Sequence, residues 1–326
     1  MERLFKLSKT GAETVLYRFC SQSGCTDGAG PFGGLVFDAG GRSLRDYQFR
    51  WHLRHIRNCV QLSNAGEETV LYNFTGGADG GGPVAGLIRD EAGNLYGTAY
   101  VGGDLNCGYG GGCGTVFKLS EAGKATVLHK FSGGSSDGAY PNAGVIMDSK
   151  GNLYGATEGG RYDQGTVFKL SKSGKLTVLY SFAGGKSGGC SPEAPPARDK
   201  DGNLYGTTEA CGPFGYGNVW KINKNRTESV PHNFSGGPSD GEVPYAGVIM
   251  DAKGNLYGDT QAGGVFDRGV VYELNRKGVL TVLHAFDGLA PDYPSASLIM
   301  DAEGNLYSTT ADGGSAGYGS VWKLTP

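Results

Sequence analysis

Charge is scarce in this chain, long apolar runs are missing, and no stretch keeps a helical period. Of its 326 residues 19% are charged and the net charge is −3, so no global basic field draws nucleic acid. No apolar run approaches the roughly 20 residues needed to cross a bilayer. Apolar spacing at three and four residues is not sustained, which excludes a helical domain. No Cys-x-x-Cys pair offers metal-ligand spacing, and neither metal nor cofactor is expected. The start, Met-Glu-Arg-Leu-Phe-Lys-Leu, lacks the apolar core of a secretory signal, which leaves a cytoplasmic location for the chain as it stands. What is abundant is glycine, 60 residues, together with 18 Tyr and 38% hydrophobic residues. That combination excludes disorder and points to a fold with many tight turns.

One phrase recurs. Gly-Asn-Leu-Tyr begins at Gly93, Gly151, Gly202, Gly254 and Gly304, at spacings of 58, 51, 52 and 50 residues. Before it stands a short apolar run ending in Asp, at 85–90, 143–148, 246–251 and 296–301. After it come a Gly-rich loop, then Gly-Thr-Val-Phe-Lys-Leu (114–119, 165–170), a Lys/Gly turn, and Thr-Val-Leu-Tyr/His-x-Phe (126–131, 177–182, 281–286). These runs of five to seven residues, rich in Val, Leu, Tyr and Phe and bounded by Gly, Asp or Asn, have the composition of strands. Four strands per repeat, a to d from centre to rim, make the antiparallel blade of a β-propeller, whose faces are buried only by neighbouring blades. The Asp-x-x-Gly-Asn segment reads as a tight a–b turn. Counting strands gives an all-β single domain over 1–326 with six blades as the simplest ring, five and seven being the alternatives. The last blade would take a, b and c from the C-terminus and d from 14–19, so that terminal strands close the ring. An opening in mid-blade fits an origin in a longer secreted parent.

Residues 42–60 break the repeat. Arg42-Ser-Leu-Arg-Asp-Tyr-Gln-Phe-Arg-Trp-His52 stands where strand b belongs, and five Arg crowd into 42–57. Read one nucleotide later, suitable codons for that stretch spell Asp-Leu-Tyr-Gly-Thr-Thr-Asn-Phe-Gly-Gly-Thr, and those for 57–60 spell Gly-Thr-Val-Phe. A pair of compensating frameshifts is therefore inferred. The segment is expected to form a poor strand pair or a flap, with a new Arg/His/Trp site as the sharper alternative.

Of seven cysteines, Cys20/Cys25, Cys107/Cys113 and Cys190/Cys211 lie in or beside Gly-rich loops as three candidate disulfides, the chemistry of an oxidising compartment. Cys59 falls in the shifted segment. The phrases Gly-Asn-Leu-Tyr-Gly-Thr-Thr, Gly-Thr-Val-Phe-Lys-Leu and Thr-Val-Leu-Tyr-Ser-Phe resemble the GloVer-type tandem-repeat family over nearly the whole chain except 42–60. The resemblance implies a propeller in a bacterial extracellular or cell-surface setting and brings no catalytic residues with it.

Strand alternation puts the long b–c and d–a loops on one face, the expected site. The d–a loops repeat Asp-Gly at Asp27, Asp79, Asp137 and Asp240, and the b–c loops add Glu158 and Glu209. Glu193 and Asp259 depart from the repeat. Tyr140, Tyr162, Tyr245 and Tyr293 are interleaved. Aromatic faces stack on pyranose rings and carboxylates bind hydroxyls, so a carbohydrate is the expected partner of a monomer. Paired carboxylates from Glu158, Glu209, Asp137, Asp240 and Glu193 would make a glycoside hydrolase, an exo-acting enzyme of β-galactosidase type. Asp79, Asp259 and the four tyrosines would bind substrate. A non-catalytic carbohydrate- or protein-binding surface module is the alternative, and His129, His232 and His284, at strand d positions held elsewhere by Tyr, are read as structural.

Overall fold

The structure, a computed structural model, describes residues 3–8, 11–18, 36–37, 43–48, 57–63, 67–160, 162–186, 188–288, 292–294, 296–314 and 319–326. Among these residues the chain is all β apart from one 3-10 turn at Gly108–Gly110. Five four-stranded antiparallel sheets follow one another, each with its strands in chain order. In one of them strand a is Ala197–Arg198, b Leu204–Thr208, c Asn218–Ile222 and d Glu228–Asn233. The C-terminal residues supply a, b and c strands at Ile299–Met300, Leu306–Asp312 and Val321–Leu324. The N-terminal strand expected to complete that last blade lies instead as Glu13–Arg18 against Arg3–Leu7. The cause is local: the Ser8 hydroxyl accepts from the amide of Ala12 at 3.0 Å and closes a tight c–d hairpin.

The chain divides into two compact units. One comprises Met1–Gly133, Asp137–Leu153 and Leu170–Leu176; the other Gly134–Ser136, Tyr154–Lys169 and Thr177–Pro326.

The repeated phrases now acquire reasons. In each a–b turn the aspartate caps the Asn-Leu-Tyr that follows. Asp90 accepts from the amide of Asn94 at 2.8 Å, from its side-chain amide at 2.8 Å and from the Tyr96 hydroxyl at 2.9 Å. Asp301 does the same with Asn305 and Tyr307. The Gly of Leu-Tyr-Gly lies beneath the aromatic of strand c. A Cβ on Gly97 would stand 2.8 Å from Phe117 Cζ, a clash. That aromatic in turn meets the strand d Phe of the preceding blade edge-on or tilted: Phe74–Phe117 at 4.9 Å in the first unit, and Phe182–Trp220, Phe234–Tyr272 and Phe286–Trp322 at 5.8, 5.4 and 5.8 Å in the second. Thus Phe234, Val219, Val248, Leu256, Val270, Tyr272 and Leu274 form one buried cluster between successive blades.

The aberrant segment occupies the b and c places after all. Ser43–Gln48 pairs with Arg57–Leu62, Ser43 opposite Leu62 and Gln48 opposite Arg57. Cys59 is buried beside Phe74 and Leu95. Arg42, His52 and His55 lie outside the described residues, as do Cys20, Cys25 and Asp27.

Successive blades are also tied by polar bonds. Thr207 Oγ1 in strand b donates to Ala246 O at the entry of the next strand a, 2.9 Å away and buried. Thr207→Val keeps the shape and leaves that carbonyl unpaired, so urea unfolding should show a loss of about 1–2 kcal/mol. An unchanged midpoint with unchanged m-value would show that the bond contributes nothing.

Candidate functional site

The repeated Asp-Gly acids of the d–a loops are committed to closing their own loops. Asp137 accepts from Ser132 N and Ser132 Oγ, both at 2.7 Å, and pairs with His129 Nε2 at 2.6 Å. Asp240 does the same with Ser235 and with His232, 3.0 Å away. Asp79 repeats the pattern with Thr75 and the Tyr72 hydroxyl. In these three blades the strand d Tyr or His clamps a loop aspartate, whereas Tyr180 at the same position donates to Glu228 at 2.6 Å. Burial pushes Asp137 up, but the bonds from His129 and Ser132 outweigh it and hold the carboxyl below the usual range. The Gly-x-Ser-x-Gly spellings at 134–138 and 237–241 belong to these loops. Neither puts its serine at the strand-to-helix turn that a hydrolase nucleophile uses.

In four blades the entry to strand a holds a residue other than glycine at positive φ before a proline. Tyr140, Ser191, Val243 and Tyr293 have φ of 58, 56, 56 and 53°, a costly region for side chains other than glycine. What holds them there is a two-way staple. Ser191 N donates to Gln164 O in the preceding blade's loop, and Ser191 O accepts from Glu209 N in its own blade, at 3.1 and 3.0 Å. Val243 repeats both bonds with Tyr216 and Gln261. The staple fixes the first residue of the b–c loop, so that Glu209 projects from a rigid base. Cys190–Cys211 locks the same rung covalently, and Cys107–Cys113 closes another b–c loop. Both are pairs expected from the sequence.

The b–c loops of three successive blades in the second unit carry aromatics at their tips. Tyr162, Phe214 and Phe266 are 47, 56 and 54% exposed. Tyr216 and Tyr245 are exposed close by in sequence. Glu209, at a loop base, is partly buried, its carboxyl accepts no hydrogen bond among the described residues, and burial raises its pKa. Glu158 holds the same loop position one blade earlier, and Glu193 lies in the entry to strand a, both partly buried. Tyr293 accepts from Arg268 Nη1 at 2.8 Å, and the guanidinium carbon stands 5.4 Å from its ring centroid. Tyr140, in the first unit, packs against Tyr100 with centroids 5.4 Å apart.

A pair of acids that the sequence reading missed stands beside these loops. Glu242 takes the rung position that Cys190 holds one blade earlier. Burial first, then the charge of Asp267, raises its pKa. Asp267, itself at φ 56°, accepts from Gly263 N at 3.0 Å.

Asp259, expected to touch substrate, is sealed away. It is 1% exposed and neither carboxyl oxygen has a partner among the described residues. Burial pushes its pKa up to about 8. The hydroxyl of Tyr272, equally buried and unpartnered, feels its charge.

A family model described as the Gloeobacter/Verrucomicrobia repeat matches residues 59–195 and again 191–326. The chain belongs to this family. No curated protein sequence matches this repeat protein. Solved structures similar to it include a gluconolactonase of Xanthomonas campestris, with 14% identity, 91% of this chain and 86% of that one covered, and a TM-score of 0.52. The extracellular domain of a protein described as a one-component system of B. thetaiotaomicron has 11% identity, coverage of 98 and 38%, and a TM-score of 0.60. A puromycin hydrolase mutant has 11% identity, coverage of 99 and 48%, and a TM-score of 0.59. The repeat chain spans under half the length of these last two. At such identities the likeness is one of fold, and it supports the propeller class. Among the described residues no helix is long and apolar enough to cross a membrane.

Two buried acids of this Gloeobacter/Verrucomicrobia-repeat chain give opposite pH signatures. Asp259 has its folded pKa raised above the ordinary 3.8 to about 8. Its contribution is fully present below pH 4 or so and is lost as pH rises through about 8. Asp259→Thr, the residue at the equivalent Thr207, should flatten the fall in thermal stability between about pH 5 and about pH 8. Asp137 is shifted down, so its stabilisation is present above the ordinary carboxylate pKa and disappears as pH falls through the lower folded value. Asp137→Asn should therefore lower Tm at neutral pH and converge on the parent in acid. A constant Tm difference across the acid range would refute the clamp.

Proposed function

We propose that the protein is a carbohydrate-active propeller that lays a glycan across the b–c loop tips of its second unit. The observation that carries this reading is the set of exposed aromatics Tyr162, Phe214 and Phe266, one per successive loop, set above carboxyls at the loop bases. Large apolar faces at repeat-equivalent loop tips contribute nothing to blade packing. Stacking on pyranose C–H faces is the use that suits them, with carboxylates taking the hydroxyls. Six a strands, six b strands and six d strands occur among the described residues, and six is the blade number we propose. The two disulfides support an extracellular setting, and a monomer is the form proposed.

The catalytic form of the proposal is glycoside hydrolysis. Glu209 acts as proton donor, because a half-buried carboxyl without hydrogen bonds stays protonated further toward neutral pH than an ordinary one. Glu158 supplies the second carboxylate, and Glu193 orients the sugar. Asp137 and Asp240 position loops rather than protons, since their oxygens are already engaged. Separation of the two working carboxyls decides the outcome, ~5–5.5 Å giving retention and ~6.5–9.5 Å inversion. The second reading, a non-catalytic binding module, rests on the same aromatics and does not need Glu209.

Screening chromogenic glycosides and a glycan panel separates the two. Phe214→Ala with Phe266→Ala should weaken glycan binding about tenfold, each lost stacking partner costing on the order of 1 kcal/mol. Glu209→Gln should cut turnover by about 100-fold or more while sparing affinity. Binding without turnover selects the module. Loss of neither binding nor turnover on substitution at the loop tips and at Glu158, Glu193 and Glu209 would remove the site.

A further inference from the structure

The short-turn side of the blades carries a cavity that nothing in the loop site uses. Within the second unit, a groove of about 570 Å³ runs between the a–b turn at residues 199–203 and the next blade's turns at 251–254 and 275–278. Five cations line it: Arg198, Lys200, Lys221, Lys253 and Arg276. None of them forms an ion pair among the described residues. Three aspartates share the lining, but two are spent on their own turns. Asp199 accepts from the amides of Asp201 and Asn203 and from the side chains of Asn203 and Tyr205. Asp251 is held by Asn255 and Tyr257. The hydrogen bonds keep Asp199 below the usual carboxylate range against the opposing effect of burial. The groove therefore presents five cations against three carboxylates, two of which are turned into their own a–b turns.

Part of this charge is demanded by the fold, and part is not. Lys221 lies over Tyr205 at 5.3 Å, as Lys118 lies over Tyr96 and Lys323 over Tyr307 at 5.7 and 5.6 Å, so it serves the repeat. Arg198 stands where the next two blades place Met250 and Met300. Lys200, Lys253 and Arg276 are exposed, with no packing role that requires a cation.

We infer that this groove binds an anionic sugar, its negative charge carried by a uronate carboxylate or a sulfate ester. Cations fix the anion, and Met250 and Pro231 supply apolar surface for the ring. Asn275 has both backbone contacts on its oxygen, leaving its amide hydrogens for a hydroxyl. A nucleic acid is disfavoured by the lining itself. The one aromatic in the lining, Tyr205, carries Lys221 over one face and is tied by its hydroxyl to Asp199, so the groove lacks the row of open rings on which successive bases stack. The site is separate in residues from the loop tips and does not depend on their reading.

Titration calorimetry of the full chain with an oligogalacturonide, a sulfated disaccharide repeat and a neutral malto-oligosaccharide tests this. The expected result is binding of one or both anionic probes and none of the neutral one. The bound probe identifies the anion source. Affinity should fall several-fold when NaCl is raised from about 50 to about 300 mM. Lys200→Glu with Lys253→Glu should reduce it by about tenfold or more, and Arg276→Ala should do so to a smaller degree. All three residues are exposed, and unchanged thermal unfolding will show that the variants fold. Phe214→Ala with Phe266→Ala should leave this binding intact, so failure here and failure of the loop site are distinguishable. Absence of binding by both anionic probes, affinity untouched by the charge reversals, or equal binding of a single-stranded DNA oligomer would overturn the inference.

Discussion

The contact on which the architecture rests is the aromatic one between blades. A lone four-stranded sheet leaves one face of apolar side chains in water, and only a neighbour can cover it. Here the cover is made by the strand d Phe of one blade against the strand c aromatic of the next, as Phe234 meets Tyr272 and Phe286 meets Trp322. Phe234, Tyr272 and Phe286 are nearly or wholly buried and Trp322 partly so, and burying such a ring is worth roughly 2–3 kcal/mol. The same contact dictates the sequence beneath it. Because the ring lies flat across strand b, the third residue of Leu-Tyr-Gly can carry almost no side chain. Within strand d the neighbouring Tyr or His stands edge-on to the same Phe, at 4.9–5.2 Å in five blades. That ring then reaches out to hold the loop aspartate, as Tyr72 holds Asp79 and His129 holds Asp137. Packing and loop closure are thus one connected device.

Rigid blades free the loops to vary. The staple at Ser191 and Val243 is made of backbone bonds, so it places no demand on the side chains it anchors. Ser, Val and Tyr all occupy the strained position, and Glu and Gln follow strand b at the stapled Glu209 and Gln261. An inexpensive change of side chain at such a point alters chemistry without altering register. The same reasoning separates acids that build the repeat from acids that can serve a ligand. Asp137 and Asp240 accept from two or three donors each, whereas Glu209 accepts from none.

Strand order, the a–b turn and two disulfides were legible in the sequence because each depends on residues close along the chain or on a phrase repeated in register. Even the frameshift-like stretch kept its strands, since Cys59 and Val60 fill the core positions that strand c must fill. The role of the Asp-Gly acids was harder to read. Asp before Gly signals a turn, but the donors that occupy its oxygens are a serine five residues back and a strand d histidine eight residues back. Glu242 and Asp267 lie 25 residues apart, and the rung pairing of Glu242 with Ala262 helps bring the two segments together. The cationic groove was passed over for a different reason. The composition of a short turn shows Asp and Lys side by side, and the surplus charge appears only when hydrogen bonds turn Asp199 and Asp251 inward.

Asp259 shows how one departure from the repeat propagates. At the equivalent place Thr207 donates its hydroxyl across to Ala246 O, and Trp220 Nε1 donates to Thr207 O at 3.1 Å. One blade on, the corresponding carbonyl is Ala296 O, and it already accepts from Ser308 Oγ at 2.8 Å. Ser308 stands where the other repeats have Gly. Its hydroxyl fills that carbonyl from strand b of the same blade, so no bond to it has to come from position 259. That relieves the demand for a threonine and lets a carboxyl occupy the site, but leaves it nothing to bond. In the strand c ring above, Trp322 Nε1 is buried with no partner among the described residues, where Trp220 Nε1 has one. Residue 308 and residue 259 are therefore coupled through a single carbonyl. Neither can be returned to the repeat's usual residue without changing what the other contributes, which is the condition for non-additive mutational effects.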